Sequence, residues 1–387
     1  MARGTNPGSQ RYRVISEDDL LTGTHRHTCY LMTRPDFQLR AFSPELLPQV
    51  ALLLRHLWPP DVAFNQRFFE WKCLENPQAS AAPGIVALLD GGVVGFRGYF
   101  VTSLLGPGRS EPVRILCPGD TCVEPTCRQF GLSVAMGKLA SQIFAADFPL
   151  FLNTTTTRPS LPGYRKLGFL PLASKSYHSA YRMVDLARYI LTYRQRPLPP
   201  PTRIRLCQEG HFVVTLQPRA DEMALVAQKQ RDPWPGLQPL RTAEYFRWRF
   251  RNPQGAYVFY YAYDGGEMRG YVVVGLSSNL RRGYLLDFVD VDRASVPDLL
   301  ARILRRRDLD ILSISTASMG STAIDWRSLG FKPTGLLRRL ERRRTGELPL
   351  LIRPVVADFD ESHWILAGVD TRDVRHWQYR EMVSDAF

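Results

Sequence analysis

Apolar and polar positions fall in blocks along this chain, and the blocks change period in a set order. After a polar leader, Ser43-Pro44-Glu45 offers an N-cap, a proline at the first helical position and an acid in the first turn, followed by leucines at helical spacing. That helix stops at Trp58-Pro59-Pro60. A second carries Phe68, Phe69 and Trp71 and ends at Asn76-Pro77, where proline forbids continuation. Ile85 to Leu89 and Val93 to Val101 read as strands joined at Asp90-Gly91-Gly92, a hairpin signal. The apolar run Val113 to Val123 then feeds a turn containing Pro125, and the turn opens a helix that runs to about Ala145. The pattern predicts an α/β chain of the α+β kind, with a mixed sheet.

The same order returns downstream. Tyr245-Phe246-Arg247-Trp248 and Asn252-Pro253 echo Phe68 to Pro77, Asp264-Gly265-Gly266 echoes Asp90-Gly91-Gly92, and Trp326-Arg327-Ser328-Leu329-Gly330-Phe331 echoes Tyr164 to Phe169. The offsets shrink: 248 less 71 gives 177 at Trp, 264 less 90 gives 174 at the turn, and 330 less 168 gives 162 at Gly-Phe. The reading is a degenerate tandem duplication whose second copy lost residues between its hairpin and its Gly-Phe. Arg196-Pro197-Leu198-Pro199-Pro200-Pro201 reads as a stiff, extended linker. The expected division is a flexible leader over 1–39, a first domain over 40–195, a linker over 196–202 and a second domain over 203–387.

At 387 residues the chain has room for two cores. No apolar run approaches the roughly 18 residues of a membrane span, and the start of the chain lacks the apolar region of a signal peptide, so a cytoplasmic protein is expected. The six cysteines form no C-x-x-C pair, and Cys117, Cys122 and Cys127 recur every five residues, a spacing that fits no zinc site. Free thiols and no metal are expected. The formal charge of +13 is mostly arginine, since the only lysines are Lys72, Lys138, Lys166, Lys175, Lys229 and Lys332. A basic surface attracts anions, among them coenzyme A, nucleotide sugars, tRNA and anionic lipid.

The candidate chemistry sits in Val123-Glu124-Pro125-Thr126-Cys127-Arg128-Gln129-Phe130-Gly131-Leu132-Ser133. A strand, a tight loop and a helix start expose amide N–H groups at the positive end of the helix dipole, where phosphate can rest, and Gly131 lets the backbone approach the anion. Val-x-Pro followed by Arg-x-x-Gly-x-Ser resembles the acyl-CoA signature of the Gcn5-related N-acetyltransferases, with Ser133 in place of the usual final Gly or Ala. Downstream, Phe151-Leu152-Asn153-Thr154 and Tyr164-Arg165-Lys166-Leu167-Gly168-Phe169 resemble the next strand and helix of that family.

The resemblance runs from about Arg40, and its specific motifs lie between Val123 and Phe169. It implies two tandem acyltransferase-like domains, acetyl-CoA or another acyl-CoA as co-substrate, and transfer of the acyl group to a primary amine. The pyrophosphate would sit on the amides from Gln129 to Ser133, after Arg128, and include those of Phe130, Gly131 and Leu132. The pantetheine would lie along Thr121 to Val123, with an N–H near Val123 facing the thioester oxygen. Tyr164 would protonate the departing thiolate. Asn153 would hold the pantetheine or a structural water, or satisfy the end of its strand.

The general base stays open among Asp120 and Glu124, which side-chain alternation puts on one face with Thr121 and Val123 on the other, and Glu70 and Glu75. The second copy has no Arg-x-x-Gly-x-Gly and carries Trp326 in place of Tyr164, so it reads as a half that lost its cofactor site. Its arginine clusters, Arg305 to Arg307 and Arg338-Arg339 with Arg342 to Arg344, form either a solvated face or a basic wall for an anionic acceptor. Trp364 to Thr371 resembles the tail of tandem acetyltransferase-like proteins of bacterial surface-polysaccharide biosynthesis, which points to an amino sugar. Two other readings remain: a tRNA-dependent aminoacyl transferase of the peptidoglycan cross-bridge type, and a non-catalytic acyl-CoA-binding protein.

Overall fold

The computed structural model describes residues 35–174, 180–185, 204–230, 234–277, 282–320, 322, 324–333 and 348–384. The leader as far as residue 34, the proline-rich linker and Arg338 to Arg344 lie outside them. The structure is mixed α/β and holds two large sheets. Strands β1 (Gln38–Ala41), β2 (Gly84–Leu89), β3 (Gly92–Leu105), β4 (Val113–Val123), β5 (Leu150–Asn153) and β6 (Leu170–Ser174) build the first sheet. Helices α1 (Leu47–Leu53) and α2 (Val62–Phe69) cover one side, and α3 (Leu132–Ile143) and α4 (Leu161–Lys166) follow β4 and β5. Strand β1 starts two residues inside the expected leader.

In the second sheet, β8 (Cys207–Glu209), β9 (Phe212–Thr215), β11 (Tyr257–Asp264), β12 (Glu267–Leu276), β13 (Arg282–Asp290) and β14 (Ile311–Ile314) lie side by side. Helices α5 (Ala220–Gln228), α6 (Ala243–Arg249) and α7 (Ser295–Arg306) pack on it, and the short β10 (Gln238–Pro239) instead extends β3 at Leu104 and Leu105. Among the described residues no helix is long and apolar enough to cross a membrane.

Each sheet is completed by a strand from the other half of the chain. Strand β16 (Pro349–Pro354), far downstream, runs antiparallel between β5 and β6 of the first sheet. Strand β7 (Ala180–Met183), which precedes the linker, runs antiparallel between β14 and β15 (Lys332–Pro333) of the second. A cut in the linker would therefore take β16 and the short β10 from the first sheet and β7 from the second.

Matching positions also meet in space. Trp71 and Trp248 stack at 5.3 Å with 14° between planes. The Trp71 Nε1–H donates to the Trp248 carbonyl at 2.9 Å, and the Trp248 Nε1–H donates to the Trp71 carbonyl at 2.7 Å. Each indole thus donates to the other residue's carbonyl. The apolar cluster around the pair draws Phe68, Phe100 and Leu104 from one sheet and Phe246, Phe259 and Tyr271 from the other into one core.

Local details refine the sequence reading. Ser43 takes the extended N-cap conformation, but its hydroxyl turns to Glu45 and caps no amide. In the first hairpin Asp90 and Gly91 take positive φ (50° and 78°); in the second it is Gly265 and Gly266 (56° and 84°). The turns thus correspond at an offset of 175 (265 less 90), one more than the Asp-Gly-Gly strings suggest. The bulges beside them, after Ala87 and after Ala262, agree, since 262 less 87 is also 175. At the Gly-Phe turns Tyr164 meets Phe169 edge-on at 5.0 Å and Trp326 meets Phe331 at 5.3 Å, with Gly168 and Gly330 at φ of 83° and 76°.

Candidate active site

Strands β4 and β5 pair in parallel only at Leu116 and Phe151, and from there they splay. A bulge re-aims β4 inside the splay: its register against β3 breaks between Arg97 and Tyr99, and Asp120 takes φ of 40°. Gly98, opposite the bulge, leaves room for the neighbouring Phe96 ring, which an added Cβ would approach at 2.8 Å. The Glu124 N–H donates to the Val94 carbonyl at 2.8 Å. Antiparallel alternation then turns the N–H groups of Val123 and Thr121 away from β3, into the splay.

After Val123 a 3-10 helix of two turns, Pro125–Phe130, leads to Gly131, whose φ of 73° starts α3. No side chain caps α3, and a Cβ at Gly131 would find nothing within 4 Å. The N–H groups of Leu132 and Ser133 come before the first intrahelical bond of α3, from the Val134 N–H to the Gly131 carbonyl at 3.1 Å. Arg128 Nε donates to the Val123 carbonyl at 3.1 Å and fixes the loop to the strand end, while Gln129 is exposed. Phe130 packs on Phe37 at 5.5 Å, and Leu132 sends its side chain into the core, leaving its backbone to the loop.

Tyr164 stands beside this loop. It is 5 % exposed, and a Cβ added at its neighbour Gly163 would lie 3.6 Å from Ser133 Oγ. The buried Arg97 joins the two elements: its guanidinium lies 4.8 Å from the Tyr164 ring, its Nη1 donates to the Ser133 carbonyl at 3.3 Å and its Nε to the Tyr99 hydroxyl at 2.9 Å. Burial pushes the Tyr99 hydroxyl up to about 12 in spite of Arg97. Asn153 is 1 % exposed at the end of β5; its Oδ1 accepts from the Thr155 N–H at 2.8 Å, and its buried Nδ2 has no partner. It thus closes its strand end and keeps a donor in reserve.

The acids separate. Asp120, Cys122 and Glu124 share the face of β4 that packs on the first helices, as alternation requires. Asp120 is nearly buried, ion-paired with the wholly buried Lys72 and accepting from Trp58 Nε1 at 3.2 Å. Glu124 is about one-third exposed, and its carboxylate lies 3.3 Å from His56 Nε2. Glu70 accepts from Gln66 at 2.9 Å on its own helix face, and Glu75 pairs with Arg251 of the second half at 3.6 Å. The sequence reading did not single out Arg97, His56 or Lys72. Arg97 and Lys72 had a signal, a lone cation inside an apolar strand and inside an aromatic helix face.

The corresponding place in the second sheet is built differently. Ala87 pairs with Gly95 and Gly95 with Val123; Ala262 pairs with Gly270 and Gly270 with Asp290. A carboxylate thus stands where the first half has Val123. Asp290 Oδ2 accepts from the Val296 N–H at 3.0 Å, and Asp292 Oδ1 from the N–H groups of Ala294 and Ser295 at 2.9 and 2.8 Å. The amides that would hold a phosphate are already taken by the chain's own carboxylates. Burial opposes the charge on Asp292, but these amides hold its carboxyl below the usual range. Of the arginine clusters, Arg306 Nε is held by Asp308 at 2.9 Å.

No protein-family model matches the sequence, and comparison with curated proteins gives no match. Comparison with solved structures does. A Gcn5-related N-acetyltransferase from Anabaena variabilis aligns over 83% of this chain and 73% of its own, at 14% identity and a TM-score of 0.53. An Enterococcus faecalis "probable N-acyltransferase" aligns over the same shares, at 11% identity and a TM-score of 0.53. The fold is that of the Gcn5-related N-acetyltransferases.

Proposed function

We propose that this protein transfers an acyl group, most simply acetyl, from acyl-CoA to a primary amine, with the first half as the catalytic unit. The observation that carries the reading is the juxtaposition of an open, uncapped α3 N-terminus, splayed strands and Tyr164 at one place. The residues fit the co-substrate. The amides of Gly131, Leu132 and Ser133 would hold the pyrophosphate, those of Gln129 and Phe130 lying inside the helical segment Pro125–Phe130, and the backbone of Thr121 and Val123 would receive the pantetheine as an added strand. Asn153 Nδ2 is a buried donor awaiting an acceptor. An acyl-CoA brings an activated thioester.

The chain's own groups then divide the proton work. The Val123 N–H faces the splay, where it can stabilise negative charge developing on the thioester oxygen. Tyr164 donates a proton to the leaving sulfur, and Arg97 puts a positive charge 4.8 Å from the ring that gives it up. Glu124 with His56 takes the proton of the attacking amine, directly or through a water, because that pair reaches solvent while Asp120 is committed to Lys72. The halves are the products of one duplication, and the second keeps the fold with its phosphate site closed by Asp290 and Asp292. An amino-sugar acceptor is the finer reading, supported by the likeness of Trp364 to Thr371.

The test is acetyl-CoA-dependent release of free thiol with a panel of amines, amino sugars among them. Thiol release should require an amine, and Tyr164→Phe should lower kcat by about 10²-fold or more, the scale of general acid catalysis, with the acetyl-CoA affinity unchanged. Full activity in Tyr164→Phe would remove it from the mechanism.

A further inference from the structure

We infer that the second half holds a ligand site of its own, for a small apolar molecule bearing one carboxylate. The site is a cavity of about 700 Å³, within the range of small-molecule pockets, roughly 300–1,000 Å³. It opens beside the far end of β13, beyond the stretch from Arg282 to Tyr284 that pairs with β14. It is therefore the counterpart, in the second sheet, of the splay that serves the first half.

Its chemistry is not that of an acyl-CoA slot. Where pyrophosphate would rest, Asp290 and Asp292 hold the α7 amides, and the exposed Asp325 adds a further carboxylate to the lining. These carboxylates disfavour a dianionic phosphate, and the cation beside Asp290 in the lining is Arg293. Most of the wall is apolar, with Trp234 and Phe288 as its largest surfaces.

Set into that wall is Arg380, 3 % exposed, its guanidinium 4.2 Å from the centre of the Phe288 ring. Beside it Arg241 binds Asp287 through two hydrogen bonds, at 2.9 and 3.1 Å, and Tyr271 donates to the same carboxylate at 2.8 Å. Arg380 approaches Asp287 at 3.8 Å, and its Nη1 donates to the carbonyls of Tyr379 at 2.8 Å and Ser318 at 3.4 Å. Among the described residues, two buried guanidinium groups thus gather on one carboxylate. Burial, and after it repulsion by Arg241, draws Arg380 down to about 9. A guanidinium on an apolar wall recognises a single carboxylate by charge-assisted hydrogen bonds while the wall takes up the apolar body.

The experiment uses the full chain and three probes of one length: octanoate, 1-octanol and octylamine, titrated by calorimetry. Octanoate should bind at least about tenfold more tightly than octanol or octylamine, the ratio that about 1.4 kcal/mol of charge recognition gives. Ser328→Trp, at an exposed position of the lining, should fill the cavity and lose octanoate while keeping acetyl-CoA binding and the thermal midpoint. Arg380→Gln should lose the preference for octanoate over octanol. If that variant fails to fold, Ser328→Trp still decides. Gly131→Glu, aimed at the acyl-CoA loop of the first half, should bind octanoate as the natural chain does. Equal binding of octanoate and octanol would overturn the inference, as would octanoate binding unaffected by Ser328→Trp or lost in Gly131→Glu.

Discussion

Lys72 is a lysine whose side chain no water reaches, held against Asp120 at the bulge of β4. Its charge costs several kcal/mol to desolvate and is offset only while the partner is present. Lys72→Met should therefore destabilise the fold by about 3–5 kcal/mol, read as a lower denaturation midpoint, and Lys72→Met with Asp120→Asn should recover much of that loss. A double variant no better than the single would show that the pair is not coupled. Asp287 supports a structural reading of Asp120, because it too is a buried strand acid tied to a cation, in a half whose helix start is occupied by carboxylates. At this scale the sequence told residue type but not commitment. Asp120 and Glu124 looked alike as bases, and only packing distinguished the one bound to Lys72 from the one that reaches solvent beside His56.

Strands, helices and hairpins were largely legible, because each carries its signal within a dozen residues. The run Val113 to Val123 is one strand, as its apolar pattern predicts. The Gly-Phe turns are alike because each needs a glycine in the left-handed region and seats a large ring edge-on against the Phe. What short-range pattern could not carry was partnership. Nothing local in Pro349–Pro354 says that it fills the gap between β5 and β6 rather than staying with its own half. Ile352→Pro removes a ladder donor in the middle of that strand, so it should open the first sheet and abolish acetyl-CoA binding, although it lies far from the loop in sequence. Undiminished affinity would mean that β16 does not support the site.

At the scale of the whole molecule, the exchange of β7 and β16 and the Trp71–Trp248 pair make the halves depend on each other. Residues 1–195 and 196–387 expressed alone should each remain unfolded or aggregate, since an open sheet edge and an uncovered core are both exposed. Expressed together they should assemble into a one-to-one complex, and a stable, monomeric first fragment would refute the dependence. The asymmetry between the halves lies in their loops: one helix start is open beside a glycine, the other closed by carboxylates. The decisive measurement is calorimetric titration of the full chain with acetyl-CoA, beside Gly131→Glu, which sets bulk and negative charge where phosphate would rest. One-to-one binding that the variant loses is the predicted result. No binding to the natural chain, or equal binding to both, would contradict the first half as an acyl-CoA site and turn the search to a charged tRNA as donor.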